Sequence, residues 1–180
     1  MIIAIAAVGP NKELVRTIDK IYSDFEHEAI FEVEVGDKRA FIGYNAWTHI
    51  TEHEKLAANG KVSILVDPEM EVPVDLLEET KDNDNFTIMT TKSFTSLLEL
   101  GVLGEKEDIY ILGGEKVFRE TYYYWDKLFL AVYKEPQQST TNFPFLDLGK
   151  KFVLVYEKEY NNFIFKDYIS LDWIYGQGVK

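Results

Sequence analysis

Short apolar runs alternate with mixed segments along the chain as far as Trp125. Ile2–Val8 is apolar at every position and ends at Gly9-Pro10, a pattern typical of a strand buried on both faces of a sheet. The same pattern predicts further strands at residues 39–43, 61–66, 86–90 and 109–112. Between them, helices are predicted to begin near residues 23–24, to run through Trp47 and Ile50 with Asn45 as the cap, and to cover 93–100 and 115–124. This alternation of strand and helix predicts parallel crossovers and an α/β fold.

The pattern changes after Trp125. Three strands are predicted in close succession, at residues 127–133, 152–160 and 163–174. Asn161-Asn162 joins the last two, and asparagine suits a hairpin turn because it tolerates positive φ. We therefore predict a mostly parallel sheet with an antiparallel C-terminal edge, in one domain spanning residues 1–180.

Composition narrows the possible partners. The chain has 180 residues, of which 46% are hydrophobic and 28% charged, as expected of one folded domain. Its formal net charge of -12 repels phosphate backbones and anionic lipids, so we expect neither a nucleic-acid nor a membrane partner. The absence of cysteine excludes disulfides and thiolate chemistry and fits a cytoplasmic location.

One junction carries a chemical signal. Residues 110–118 read YILGGEKVF, in which an apolar strand meets two adjacent glycines and then a helix. Missing side chains let other atoms approach the main chain closely, and a helix start presents N–H groups to anions. Lys116 could add a positive charge for a phosphate. The alternative is a tight turn with Lys116 in solvent.

Four segments, in order, resemble motifs of the dihydrofolate reductase family. MIIAIAA at the N-terminus resembles the first strand of the family, and FIGYNAW (41–47) resembles its strand-turn-helix motif. ILGGEKVF (111–118) resembles the I-G-G-x-x-(V/I)-(Y/F) phosphate turn, and TTNFP (140–144) resembles the D-T-x-F-P segment. The resemblance covers residues 1 to about 170.

The resemblance implies a central, mostly parallel eight-stranded sheet flanked by helices, with an antiparallel C-terminal hairpin. It implies an oxidoreductase that transfers hydride from NADPH to dihydrofolate and gives tetrahydrofolate, and we expect a monomer. The substrate-binding residues that it implies are Ile5, Ala7, Phe31, Ile50 and Leu112. The cofactor-binding residues that it implies are Asn45, Ala46, Asp67, Gly113, Gly114, Glu115, Lys116 and Val117.

The resemblance also implies one catalytic carboxylate on the first helix, which binds the pterin and promotes its protonation. Counting without gaps puts His27 at that position, whereas a shift of one residue puts Glu28 there. Glu28 lies three residues before Phe31, on the same helical face, and is our choice over Glu26 and His27. The alternative is that these acids form the solvated start of a helix. Thr141 matches the family threonine whose hydroxyl bonds the acid.

The chain departs from the family around the cofactor. Residues 11–23 lack the Gly, Pro and Trp of the family's closing loop, which puts a lid in doubt. Tyr44 stands where the family has an arginine for the 2′-phosphate. Asp67 would repel that phosphate and accept a bond from a free ribose hydroxyl, so NADH is an alternative to NADPH.

Other functions stay open at this point. The chain could bind ligands on the same fold without catalysis, or reduce a related pterin or pyrimidine. His49 and His53 have the i, i+4 spacing of two metal ligands on one helical face. The sequence shows no cluster that would supply a third ligand, so we predict no metal site.

Overall fold

The computed structural model describes residues 1–15, 38–49, 61–145 and 147–178. In these ranges one sheet contains β1 (Ile2–Val8), β2 (Leu14–Val15), β3 (Arg39–Gly43), β4 (Lys61–Val66), β5 (Phe86–Thr90), β6 (Ile109–Ile111), β7 (Lys127–Tyr133), β8 (Phe152–Glu159) and β9 (Phe163–Ser170). The α-helices are α1 (Tyr44–Trp47), α2 (Val74–Thr80), α3 (Thr91–Glu99), α4 (Glu115–Thr121) and α5 (Leu171–Gly178). None of these helices is long and apolar enough to cross a membrane.

The strands lie in the order β5-β4-β3-β6-β1-β7-β9-β8, and β2 pairs with β1. All pairings from β5 to β7 in this order are parallel, whereas β9 is antiparallel to both β7 and β8, and β2 is antiparallel to β1. The predicted α/β class, with its mostly parallel sheet and antiparallel C-terminal strands, is confirmed. β1 is apolar throughout because it is central: Ile3 and Ile5 are buried on one face, and Ala4 and Ala6 on the other.

The two faces of the sheet carry different helices. On the face of Ile5, the buried side chains include Trp47 of α1 and Leu76 of α2. On the opposite face, Phe41 of β3 stacks on Phe94 of α3 with ring centroids 4.3 Å apart. α4 packs on this second face as well, so the Gly-Gly junction carries the chain past the carboxyl end of β6 to that face.

The second face also holds a short buried polar chain. The indole nitrogen of Trp125 donates to Thr121 Oγ1 at 2.9 Å, and that hydroxyl donates to the carbonyl of Val117 at 2.6 Å. Trp125 is buried, with its ring 5.4 Å from that of Phe118. The polar groups are therefore satisfied inside an aromatic core.

The predicted end of the last strand is wrong. β9 ends at Ser170 instead of 174, because Ser170 Oγ accepts the amide of Trp173 at 3.0 Å and α5 begins there. The predicted helix cap at Asn45 is also wrong. α1 is preceded by Gly43, so Asn45 lies inside the first turn.

The hairpin predicted at residues 161–162 forms. Tyr160 donates its amide to Phe163 at 2.8 Å and closes the turn. The predicted reason for it is wrong, because Lys12 is the only non-glycine residue with positive φ in the described ranges. Neither asparagine therefore uses the left-handed region.

β8 ends the sheet order and is largely exposed. Its apolar residues Val153, Leu154, Val155 and Tyr156 are between 40% and 52% exposed. The pairing with β9 shifts between Leu154 and Tyr156, which leaves Val155 as an extra residue in a bulge.

Candidate functional site

Several residues predicted to bind substrate or cofactor lie near the carboxyl ends of the parallel strands. β1, β3, β4 and β6 are linked by parallel pairings, so their carboxyl ends point the same way. The segments that follow β3, β4 and β6 hold Asn45, Asp67 and Gly113. In open α/β sheets, the crevice at the carboxyl ends of the strands is where ligands bind.

The Gly-Gly junction lies directly against the end of β3. The amide of Leu112 donates to Phe41 O at 2.8 Å, and the amide of Gly43 donates to Gly113 O at 2.6 Å. These two bonds continue the β3–β6 pairing beyond the end of β6. The peptide between Gly113 and Gly114 is cis, and Gly113 has φ of +115°.

Two of the glycines here have a physical reason: Gly43 leaves room for Val117, and Gly113 has a φ that residues with a side chain rarely adopt. A Cβ atom on Gly43 would lie 2.9 Å from Val117 Cγ2 and 3.4 Å from Gly113 O. A Cβ atom on Gly114 would lie 3.4 Å from the Cβ of Ala46. The backbone left bare at the Gly-Gly junction is thus in close contact with β3 and the start of α1.

α4 begins at Glu115 after the N-cap residue Gly114, and no side chain caps its first turn. The first amides of a helix have no partner within the helix, so they remain available to an acceptor. Glu115, in this first turn, is paired with Arg119 one turn later at 2.7 Å. A phosphate approaching the turn would therefore meet both the amides and a carboxylate held by an arginine.

Lys116 and Asp67, both predicted to bind the cofactor, form an ion pair. Lys116 Nζ lies 2.9 Å from Asp67 Oδ2 and links the start of α4 to the loop after β4. The hydrogen bond from Lys116 lowers the pKa of the Asp67 carboxyl, and the amide of Glu69 adds to this effect. The same bond raises the pKa of Lys116. Both side chains are about half exposed, so either can turn to a ligand.

The predicted apolar residues divide between two faces of the sheet. Ile5, Leu112 and Ala46 belong to one cluster, on the face that carries Trp47. Ala7 lies further along the same strand in a neighbouring cluster with Val15 and Ala131. Val117 is buried on the opposite face. Ile5, Leu112 and Ala46 are thus brought together, whereas Val117 could offer a ligand only its main chain.

Thr141 lies in a segment that pairs with the loop after β1. Its carbonyl accepts the amide of Leu14 at 2.9 Å, and Phe143 donates its amide to Lys12 O at 2.8 Å. The residue is exposed, and its hydroxyl lies 3.4 Å from Ser139 Oγ. Among the described residues, Ser139 is the hydrogen-bond partner of the Thr141 hydroxyl.

Glu13 was not singled out from the sequence, yet it organises this loop. It is 9% exposed, and its carboxylate accepts the amides of Asn11 at 3.1 Å and Gln137 at 3.2 Å. A Cβ atom on Gly9 would overlap Glu13 Oε1 at 1.5 Å, so Gly9 makes room for the carboxylate. The sequence offers no signal for this arrangement, since Gln137 is distant along the chain.

Several predicted site residues lie outside the described residues. They are the candidate acids Glu26, His27 and Glu28, and the apolar residues Phe31 and Ile50. His53 lies outside as well, and the described residues contain no group of three or more His, Asp or Glu side chains suited to a metal.

Comparison with solved structures identifies the fold. The chain is similar to dihydrofolate reductase from Enterococcus faecalis complexed with NADP(H) and RAB-propyl, with a TM-score of 0.64. The two share 17% sequence identity over 96% of this chain and 97% of that chain. A scan against protein-family models finds no match, and a search of curated proteins finds none either. At this level of identity the likeness shows a dihydrofolate reductase fold.

Proposed function

We propose that the protein is a nicotinamide-dependent reductase that transfers hydride to dihydrofolate. The observation that carries this proposal is the fold, which is shared over nearly the whole chain with an enzyme solved in complex with NADP(H). The convergence of Leu112, Gly113 and the start of α1 at the carboxyl ends of parallel strands supports it. Crevices of this kind hold nucleotides in α/β folds.

The residues around α4 fit a nicotinamide dinucleotide. The uncapped first turn offers amides to a pyrophosphate, and Lys116 can leave Asp67 to pair with it. Once Lys116 has left it, the Asp67 carboxylate would accept a hydrogen bond from a hydroxyl of the adenosine ribose and would repel a 2′-phosphate. We therefore propose that the protein uses NADH or NADPH. Its preference for the 2′-phosphate of NADPH would be weaker than with an arginine in place of Tyr44.

The cofactor would supply the hydride, and this chain would bind and protonate the substrate. Ile5, Leu112 and Ala46 belong to one apolar cluster on a face of the sheet, and the substrate is proposed to lie against this cluster. Glu28 is the proposed acid, and Thr141 is its proposed partner. An ionised carboxylate in an apolar pocket binds a protonated pterin edge and raises the basicity of the ring, which promotes proton transfer.

The direct test measures loss of nicotinamide absorbance with purified protein, dihydrofolate, and either NADH or NADPH. Glu28→Gln is expected to lower turnover by about a hundredfold or more while cofactor binding is retained. Glu26→Gln, two positions away, is the matched control and should retain turnover. Equal turnover in Glu28→Gln and in the unchanged protein would refute Glu28 as the acid.

The cofactor assignment has its own test. Lys116→Ala should weaken binding of both nucleotides by about tenfold, as loss of one charge-assisted contact predicts. Asp67→Asn should favour NADPH over NADH, because it removes the repelling charge. Nucleotide affinities that neither substitution changes would contradict the proposed position of the cofactor.

A second function is favoured by the charge pairing at α4. Asp67 and Lys116 neutralise each other, and Glu115 stands in the turn where a phosphate would sit. Among the described residues of α4, this arrangement leaves no free positive charge for a nucleotide phosphate, as expected of a protein that binds a pterin without reducing it. Tight binding of methotrexate, with no turnover on either nucleotide, would support this function and exclude the reductase.

A further inference from the structure

One cavity lies apart from the candidate site and shares none of its residues. Its volume is about 730 Å³, and it opens to solvent between the turn at Tyr122–Tyr124 and the start of α5. Aromatic rings form much of its wall, including Tyr122, Tyr123, Phe145 and Tyr175. Tyr122 stacks on Phe145 with ring centroids 3.8 Å apart.

One amine is held against these rings. Lys151 Nζ donates to the main-chain carbonyl of Tyr122 at 2.6 Å. It lies 4.9 Å from the ring centroid of Tyr122, 5.5 Å from that of Phe152 and 5.9 Å from that of Tyr123. The main chain of Lys151 is fixed too, since its carbonyl accepts the amide of Leu171 at 2.7 Å. The amine therefore has a defined position in the wall of the cavity.

Burial favours the uncharged form of the Lys151 amine, whereas the rings and nearby aspartates favour the ammonium. Burial lowers the pKa of Lys151 to about 8, although Asp172 and Asp126 oppose the shift. Asp147 and Lys150 also line the cavity, but their side chains are 59% and 84% exposed and lie 3.8 Å from each other. At neutral pH about a tenth of an amine with this pKa is unprotonated, against about one part in 3,000 for an ordinary lysine.

We infer that Lys151 is the nucleophile of a second binding site, which takes small planar aromatic carbonyl compounds. The rings of Tyr123 and Tyr175, which line the cavity and are 81% and 70% exposed, offer flat apolar surface to such a molecule. The nitrogen lone pair of Lys151 adds to the carbonyl carbon, and protons pass to the oxygen. Water then leaves and an imine remains, with no oxidation or reduction. Asp172 and Asp126 supply the negative charge that favours the protonated imine.

The test uses salicylaldehyde as the aromatic probe and propionaldehyde as the aliphatic one, with the full-length protein. Cyanoborohydride reduces each imine to a stable amine, and peptide mass spectrometry locates it. Lys151 should be labelled by salicylaldehyde about tenfold faster than Lys150, its neighbour in the same cavity, with a rate that rises with pH up to about 8. Equal labelling of the two lysines would overturn the inference.

Two comparisons separate the cavity from the amine alone. The ratio of the salicylaldehyde rate to the propionaldehyde rate should be larger at Lys151 than at Lys150, and equal ratios at the two lysines would show that the rings bind nothing. Lys151→Arg should abolish the fast labelling and Lys150→Arg should retain it. Fast labelling that survives Lys151→Arg would overturn the assignment. Because the first comparison uses the unchanged protein, the inference can fail even where a variant does not fold.

Discussion

The close contact between β3 and the Gly-Gly junction predicts a cost for a single methyl group at Gly43. Gly43 has φ of -66° and ψ of 146°, which alanine adopts without strain. Any effect of Gly43→Ala on the folded state is therefore steric. The added Cβ atom would lie 2.9 Å from Val117 Cγ2, closer than such atoms come in proteins, and 3.4 Å from Gly114 N.

Two terms decide the size of the effect. Overpacking a filled interior costs about 1 to 3 kcal/mol, and Val117 is buried and β-branched, so it cannot rotate away freely. Replacing glycine by alanine where the backbone allows it contributes about 0.4 to 1 kcal/mol through the unfolded state. The midpoints of the two ranges, about 2 and about 0.7 kcal/mol, give a net expected loss of about 1.3 kcal/mol in the free energy of unfolding.

Urea unfolding of Gly43→Ala, followed by tryptophan fluorescence, measures this loss as a lower midpoint at unchanged slope. Gly176→Ala is the matched control, because a Cβ atom there meets nothing within 4 Å and its φ is not positive. The control should be neutral or slightly stabilising.

The assignment of the cost to Val117 is tested by a double-mutant cycle. Val117→Ala removes the contacted methyl group, so Gly43→Ala should cost about 1 kcal/mol less in that background than alone. Additive effects would show that the contact with Val117 is not the cause. Gly43→Ala that is as stable as the unchanged protein would refute the steric argument altogether.

Three further predictions concern other contacts. Glu13→Ala should cost about 1 to 3 kcal/mol of unfolding free energy and speed hydrogen exchange at the Gln137 amide; unchanged exchange would contradict the role of the carboxylate. Thr121→Val leaves the buried indole N–H of Trp125 without its acceptor, so it should cost about 1 to 3 kcal/mol, against little for Thr121→Ser; equal midpoints in urea would contradict this. The pKa of Lys151 is about 8 in the folded protein and 10.5 in the unfolded chain. Protonation of Lys151 therefore disfavours folding below pH 8, and this penalty fades as the pH rises towards 10.5. The stability of the unchanged protein relative to Lys151→Met should therefore rise by about 1 to 2 kcal/mol between about pH 7 and about pH 10, after allowance for solvent screening, and a pH-independent difference would contradict the shift.

The strands of the parallel sheet could be predicted because burial on both faces leaves an unambiguous pattern. Ile2–Val8 and Lys61–Val66 were predicted at the bounds that the structure has. β2 could not be found, because two residues carry no periodicity and its pairing depends on Ala7 and Val8. α2 was missed because, of its apolar residues, only Leu76 is fully buried, while Val74 is 71% exposed.

Only the feature of the candidate site that lies in adjacent residues could be predicted from the sequence. The Gly-Gly pair of the junction is adjacent in sequence and marks itself as a place of close approach. The contacts that fill it, to Gly43 and Ala46, come from another strand and helix, so the sequence could not show them. The ion pair of Asp67 and Lys116 spans 49 positions, a separation at which charge patterns carry no information about contact.

The bulge at Val155 changes what the apolar margin of β8 can do. A straight margin with this much exposed apolar surface would offer a continuous row of N–H and C=O groups to a strand from another molecule. The extra residue breaks that row between Leu154 and Tyr156, so an incoming strand could pair with only a few residues on either side of the break. We therefore expect the irregularity to disfavour fibre-like self-association at high concentration, without any loss of apolar surface from β8.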